Sequence, residues 1–243
     1  MIMEHFIWFI MYGVMGWIYE TMAMTVWAGK WDNRGFLFGP MIPIYGFGAL
    51  ALTIVLELYQ LNNWQVFLVS VLGSIILEFS TSVALEKLFN ASWWDYSTVP
   101  LNIQGRICVP ASLGFGIAGL IVKKICMPFV VNCTRDLNTN IMQLIALVLM
   151  SLLAADTATT VADLISFDKK VKTAEDKFNE HMDNVVGDNI GIKTRLMLIK
   201  EFATKSQQGT LKRVKHFKGR RGKSLSYMVE LIKKVENKFD KNT

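Results

Sequence analysis

Apolar residues in this chain are gathered into long runs separated by short polar breaks. The runs are longer than strands, and too continuous for helices that bury only one face. A bilayer core of about 30 Å takes roughly 20 apolar residues in a helix. Five segments qualify: Phe6–Ala28, Met41–Tyr59, Trp64–Leu85, Ile107–Val122 (extendable to Val131) and Ile141–Ile165. The pattern predicts an all-α fold, a polytopic membrane helical bundle with about five transmembrane helices. The first run is not a cleaved signal peptide: no basic residue precedes it, it is too long, and it contains Glu20. Beyond Phe167 the pattern changes. Leu225, Met228, Val229, Ile232, Val235 and Phe239 recur at steps of three and four, an amphipathic helical stripe in a polar chain. The reading is a transmembrane domain over 1–167 and a basic, helical, cytoplasmic C-terminal tail over 168–243.

Composition supports the membrane reading. Of 243 residues, 52% are hydrophobic and only 19% charged, with a mean hydropathy of +0.32. That excludes a disordered chain, a nucleic-acid-binding arm and a small disulfide scaffold. Cys126 and Cys133 stand close enough to pair across a loop, which leaves Cys108 odd. No spacing matches a zinc site, so three unlinked thiols is the reading taken.

The net charge of +6 hides a division. Residues 168–243 carry 19 basic and 10 acidic side chains, whereas residues 1–167 carry 7 and 10. Basic residues mark cytoplasmic loops. Lys30 and Arg34 follow the first run, Lys87 and Arg106 flank the loop after the third, and the tail carries the largest excess. An outside N-terminus and a cytoplasmic C-terminus satisfy these, although Lys123, Lys124 and Arg135 then face outward. Trp27, Trp31, Trp64, Trp93 and Trp94 fall at predicted span ends, where indole rings anchor at headgroup depth or pack protein on protein.

Candidate chemistry lies where charge interrupts the apolar runs. Glu20, Glu78, Asp156 and Asp163 do so, and a carboxylate at bilayer centre costs roughly 2.5–3.5 kcal/mol on insertion scales. Glu20, Glu78 and Asp156 precede the next basic residue by similar distances, roughly 14–20 Å of helix. Three acids at one depth on three parallel helices suit one polar cavity. Neighbouring Thr21, Thr25, Ser80, Thr81, Ser82, Thr157, Thr159 and Thr160 suit the competing reading, hydrogen-bonded glue between helices.

Two loops add polar groups on the same predicted side. The segment from Asn33 to Gly46 contains Pro40 and Pro43, so a broken or re-entrant approach to the second span is expected. The second loop combines Trp93, Trp94, Asp95, Tyr96, Asn102 and Arg106. It suits recognition of an anion or headgroup, and equally a packed cap on the bundle. Asp95 has Arg34 or Arg106 as possible opposite charges, and Arg106 has Glu86. His5, His181 and His216 are scattered and take no role.

These stretches also carry a resemblance. Gly16-Trp17-Ile18-Tyr19-Glu20-Thr21, the segment from Asn33 to Leu50, Leu77 to Phe89, and Trp93 to Ser97 followed by Pro100 to Cys108 resemble the putative ABC-transporter type IV (CmpB-like) family. The likeness runs from about Gly13 to Pro128. It covers Glu20, Asn33, Arg34, Gly35, Gly39, Pro40, Pro43, Tyr45, Gly46, Glu78, Glu86, Trp94, Asp95, Tyr96, Asn102, Gly105 and Arg106; Asp156 and Asp163 fall outside it. It implies a bacterial multi-pass inner-membrane protein of transporter type. The chain has no G-x-x-x-x-G-K-[ST] loop, since Gly219-Arg220-Arg221-Gly222-Lys223 lacks the spacing, so ATP would enter through a separate ATPase subunit.

The expected function is therefore a transporter or permease with a polar cavity on the cytoplasmic side. Its substrate- or ion-binding residues would be Glu20, Asn33, Arg34, Tyr45, Glu78, Asp95, Asn102 and Arg106. No catalytic residue, metal or cofactor is assigned. The alternatives are a membrane-embedded enzyme acting on a lipid or lipid-linked substrate, and a non-catalytic scaffold recruiting partners through its tail. Expected partners are the lipid bilayer, an ATPase subunit or a second copy, and anionic lipid at the cluster Lys212 to Lys223. Nucleic acid is the weaker partner for that charge.

Overall fold

A computed structural model describes residues 2–29, 35–89, 91–182 and 216–217, with side chains to residue 166 apart from those of 27 and 28. Among the described residues six α-helices follow one another: α1 (Ile2–Ala28), α2 (Pro43–Leu58), α3 (Asn63–Phe89), α4 (Val109–Ile121), α5 (Met127–Arg135) and α6 (Thr139–Met182). A π-helical turn, Val122–Cys126, joins α4 to α5 without a break. Short strands β1 (Ala91–Ser92), β2 (Asn102–Ile103) and β3 (Ile107–Cys108) lie between α3 and α4, and β4 (His216–Phe217) lies beyond α6.

Among the described residues four helical stretches are long and apolar enough to cross a membrane: Ile2–Val26, Asn63–Phe89, Val109–Arg135 and Thr139–Ser166. The fourth expected segment thus runs on through the π turn to Arg135. The second expected span is shorter than the rest. With 16 residues, α2 covers about 24 Å of a roughly 30 Å core. It is therefore not among the four, and the backbone before it at 35–42 is irregular, the break that Pro40 and Pro43 predict.

Chain contacts divide the protein into two units. The first, Met1–Val83 with Asp95–Thr160, is a helical bundle. Here α1 and α2 run antiparallel: Ile42 meets Gly13, Gly46 meets Phe9, and Glu57 meets His5. So do α3 and α4: Arg106, just before α4, reaches Ser82 near the end of α3, and Lys123, just past α4, reaches Asn63 at its start. Trp8, Tyr12 and Val130 form one buried cluster, and Phe9, Leu37 and Met41 a second. Two polar pairs lie inside: Trp8 Nε1 donates to Thr134 Oγ1 at 2.8 Å, and the Tyr12 and Thr53 hydroxyls lie 2.9 Å apart.

The outer surface is apolar. Leu144, Leu147, Val148, Met150 and Leu152 of α6 are exposed, as are Leu72 and Ile76 of α3. Only 6% of the apolar window of α6 is buried, against 33% for α1. Apolar surface that continuous suits hydrocarbon rather than water.

The second unit comprises Ala84–Trp94 and Val161–Thr243. In it β1 pairs antiparallel with β4, Ala91 opposite Phe217 and Ser92 opposite His216. Phe89 and Trp93 meet edge to face at 6.2 Å. The stripe from Leu225 to Phe239 lies outside the described residues. So does the basic cluster Lys212 to Lys223, apart from the backbone of β4.

Candidate functional site

Two returns of the chain, each between a long helix and the next, supply the polar groups of the first unit. The first, 35–42, is not helical, so its N–H and C=O groups need partners that a helix would have provided. Asp156 on α6 provides two. Its Oδ1 accepts from the Phe38 N–H at 3.0 Å and its Oδ2 from the Gly39 N–H at 2.8 Å. Thr160, one turn on, donates to Oδ1 at 3.3 Å. The Ile42 N–H donates to the Gly13 carbonyl at 3.1 Å, well inside α1. Gly39 is needed for the approach, because a Cβ there would stand 2.7 Å from Asp156 Oδ2.

The second return is self-supporting. Strands β2 and β3 form a hairpin, with the Arg106 N–H donating to the Ile103 carbonyl at 3.0 Å. Gln104 (φ 53°) and Gly105 (φ 67°) occupy its two central positions, the left-handed pair of a type I′ turn. Asn102 Nδ2 donates to the Val99 carbonyl at 2.7 Å, and its Oδ1 accepts from the Gly105 N–H at 3.0 Å. Asp95 Oδ1 accepts from the Ser97 N–H at 2.8 Å. Both side chains, expected to bind substrate, are used in building the loop.

That loop carries Tyr96 and Arg106 onto α3. The Tyr96 hydroxyl donates to Glu78 Oε1 at 3.2 Å. Arg106 Nη1 donates to Ser82 Oγ at 3.0 Å, one turn beyond Glu78, and its guanidinium lies 6.0 Å from the Phe79 ring centre. Burial pushes the Tyr96 hydroxyl well above the ordinary tyrosine range, and the Glu78 carboxylate raises it further. Tyr96 therefore remains a donor at any physiological pH.

Glu78 is only 5% exposed, and its Oε2 has no hydrogen-bond partner. Glu20 of α1 lies within electrostatic reach of it. Glu20 in turn is hydrogen-bonded to Tyr45, at the start of α2. Two acids from two helices thus lie near one another, each with a tyrosine from the segment after the break.

Of the expected site residues, Glu20, Tyr45 and Glu78 come together here, and Arg106 reaches the same helix one turn away. Asn33 and Arg34 lie outside the described residues. Asp156, expected at the level of Glu20 and Glu78, has its oxygens occupied by backbone N–H groups and Thr160; for it the glue reading describes what is seen. Tyr96 was not among the expected ligands, although the resemblance already covered it. A loop tyrosine gives no periodic signal of its own. Among the described residues no cluster of three or more His, Cys, Asp or Glu could hold a metal ion.

Long apolar helices with outward-facing hydrocarbon surface and acids turned inward define a multi-pass membrane protein. Residues 7–161 match the family described as putative ABC-transporter type IV (CmpB), and the chain belongs to that family. The matched range extends past both ends of the Gly13–Pro128 likeness, takes in Asp156 and stops before Asp163. No curated protein and no solved structure matches the chain.

Proposed function

We propose that this protein is the membrane component of a transport system, with the Glu20–Tyr45 and Glu78–Tyr96 pairs as the polar centre of its pathway. The observation that carries the reading is Glu78: a carboxylate 5% exposed, on an apolar helix, with one oxygen left unpartnered. Structural glue would leave no such oxygen, as the fully occupied Asp156 illustrates. A buried acid with spare capacity on a spanning helix marks a route for a polar or charged cargo.

Asn33, Arg34, Asp95, Asn102 and Arg106 would form the polar mouth of this route on the cytoplasmic side, where the Arg residues would hold anionic groups. An ATPase subunit is the partner that the family name suggests, and anionic lipid is the counterpart of the basic tail. Sidedness is tested by labelling single cysteines introduced at Asn62, Ser97 and Asn138. Those at Asn62 and Asn138 should react from outside, and that at Ser97 only after permeabilisation.

Function is tested in proteoliposomes by uptake of a panel of labelled inorganic cations, amines and anions, with headgroup turnover followed in the same vesicles. Glu78→Gln should lower uptake of the transported solute about tenfold, equivalent to roughly 1.4 kcal/mol. Equal uptake by wild type, Glu20→Gln and Glu78→Gln would remove the reading, and headgroup turnover without uptake would replace it with the enzyme alternative.

A further inference from the structure

Leu101, in the second return, has left-handed backbone at φ 57°, where a Cβ crowds the following carbonyl oxygen. Glycine or asparagine takes that conformation with less strain. A bulky residue stays there only where its surroundings hold it. Yet Leu101 is 73% exposed, so contacts within the chain do not account for a leucine at this position. Ile103, two residues on, is 56% exposed. Between them the Asn102 side chain turns inward, to the Val99 carbonyl and the Gly105 N–H. The tip of the return thus presents two large apolar side chains outward.

What covers the tip follows from what it joins. The Leu101 carbonyl accepts from the Val109 N–H at 3.2 Å. Val109 opens α4 and with it the apolar stretch Val109–Arg135, one of those long enough to cross a membrane. From there Val109, Leu113, Ile117 and Ile121 recur every four residues, and all are exposed. Residues four apart lie on one helix face, so this is a row on the outer surface that suits hydrocarbon. Leu101 extends the row onto the return.

The hooks on α3 report depth. Glu86 is the first charged residue of α3 after Glu78. Tyr96 meets α3 at Glu78, about 12 Å of helix before Glu86, and Arg106 meets it at Ser82, about 6 Å before Glu86. A tyrosine side chain alone does not span 12 Å. The backbone of the return therefore comes back along α3 instead of standing off its end.

We infer that the second return is re-entrant, with its tip, Leu101 and Ile103, seated among the acyl chains of the leaflet it enters. Its two sides then have two partners. Tyr96 and Arg106 bind α3, and the tip binds lipid. Removing the two apolar side chains from water offsets the strain at Leu101. The row on α4 leads into the span rather than away from it, which favours lipid over a water-soluble partner protein. The inference stands whether or not the protein moves a solute.

The test uses the full-length protein in vesicles of phosphatidylcholine and phosphatidylglycerol, in a Cys133→Ser background. Leu101→Cys, Ile103→Cys and Ser97→Cys are each labelled with bimane, and the signal of the background protein is subtracted. Nitroxide groups on the acyl chains should quench the label at 101 and at 103 several-fold more than at 97. Iodide on both sides of the membrane should quench in the opposite order. Leu101→Asn needs no label. Asparagine suits left-handed backbone, so at a tip in water it raises the midpoint of thermal unfolding in nanodiscs; at a tip among acyl chains it lowers that midpoint.

Iodide quenching at 101 equal to that at 97 overturns the inference, as does a midpoint raised or unchanged by Leu101→Asn. Labels that neither quencher reaches also overturn it, and assign the tip to a second copy or a partner protein. Size-exclusion profiles establish that each cysteine variant is folded; if one is not, the Leu101→Asn midpoint decides alone.

Discussion

The hairpin of α1 and α2 and the hairpin of α3 and α4 share one plan. Each opens with a 27-residue helix that carries an acid. Each second helix starts after an extended residue, Ile42 or Cys108, with Pro in the first two positions, and lays glycines against the first helix. They differ in how the return between the helices is satisfied. The first borrows its hydrogen bonds from α6, through Asp156. The second makes them within itself, through a β-hairpin and Asn102. They also differ in how the helices touch. A Cβ on Gly46 would stand 2.7 Å from the Phe9 carbonyl oxygen, whereas one on Gly116 would meet the Phe67 and Val71 side chains. The same topological problem thus has a distributed solution and a local one.

The contact difference should give the largest measurable effect. Gly46→Ala presses on backbone and should cost about 3 kcal/mol, whereas Gly116→Ala presses on side chains that can shift and should cost about 1 kcal/mol. Denaturant unfolding in mixed micelles reads both, and equal losses would erase the distinction.

Asp156→Ala comes next. It strips acceptors from two N–H groups and should cost about 2–3 kcal/mol. Hydrogen exchange should quicken at the Phe38 and Gly39 amides and leave the Tyr96 and Arg106 amides as they were. Exchange spreading equally to both returns would show that the second is not self-supporting.

The reciprocal change, Asn102→Ala, should cost about 1–2 kcal/mol and speed exchange at the Gly105 amide while Gly39 stays protected. Smallest of all, Gln104→Asn suits the left-handed position of the turn better and should add about 0.5 kcal/mol of stability. A loss there would mean that the Gln104 side chain has a task beyond the turn.

The same contrast explains what could be read in the sequence. Helix positions were legible because the length of an apolar run is a local property: α1, α3 and α6 contain the expected segments Phe6–Ala28, Trp64–Leu85 and Ile141–Ile165. The break before α2 was legible because Pro40 and Pro43 exclude a regular helix there. Glu20, Tyr45 and Glu78 stood out because polar groups are conspicuous in apolar runs. The role of Asp156 was not legible, since its partners Phe38 and Gly39 are more than a hundred residues away and bond through backbone that every residue has. Asp95 and Asn102 were legible as polar loop residues but their part in building the loop was not, since short polar side chains that accept from nearby N–H groups suit both tasks.

The π turn at Val122–Cys126 has its own consequence. Such a turn accommodates one extra residue inside an otherwise regular helix, and each residue advances the helix by about 100°. Just at this turn Lys123 Nζ donates to the Leu61 carbonyl at 2.8 Å, while downstream Val130 and Thr134 face Trp8. The insertion works as a phase shifter: it lets a single continuous rod lock the α2–α3 connection with one face and seal against α1 with another. Were that one residue removed, the rod would stay whole but would keep only one of its two appointments.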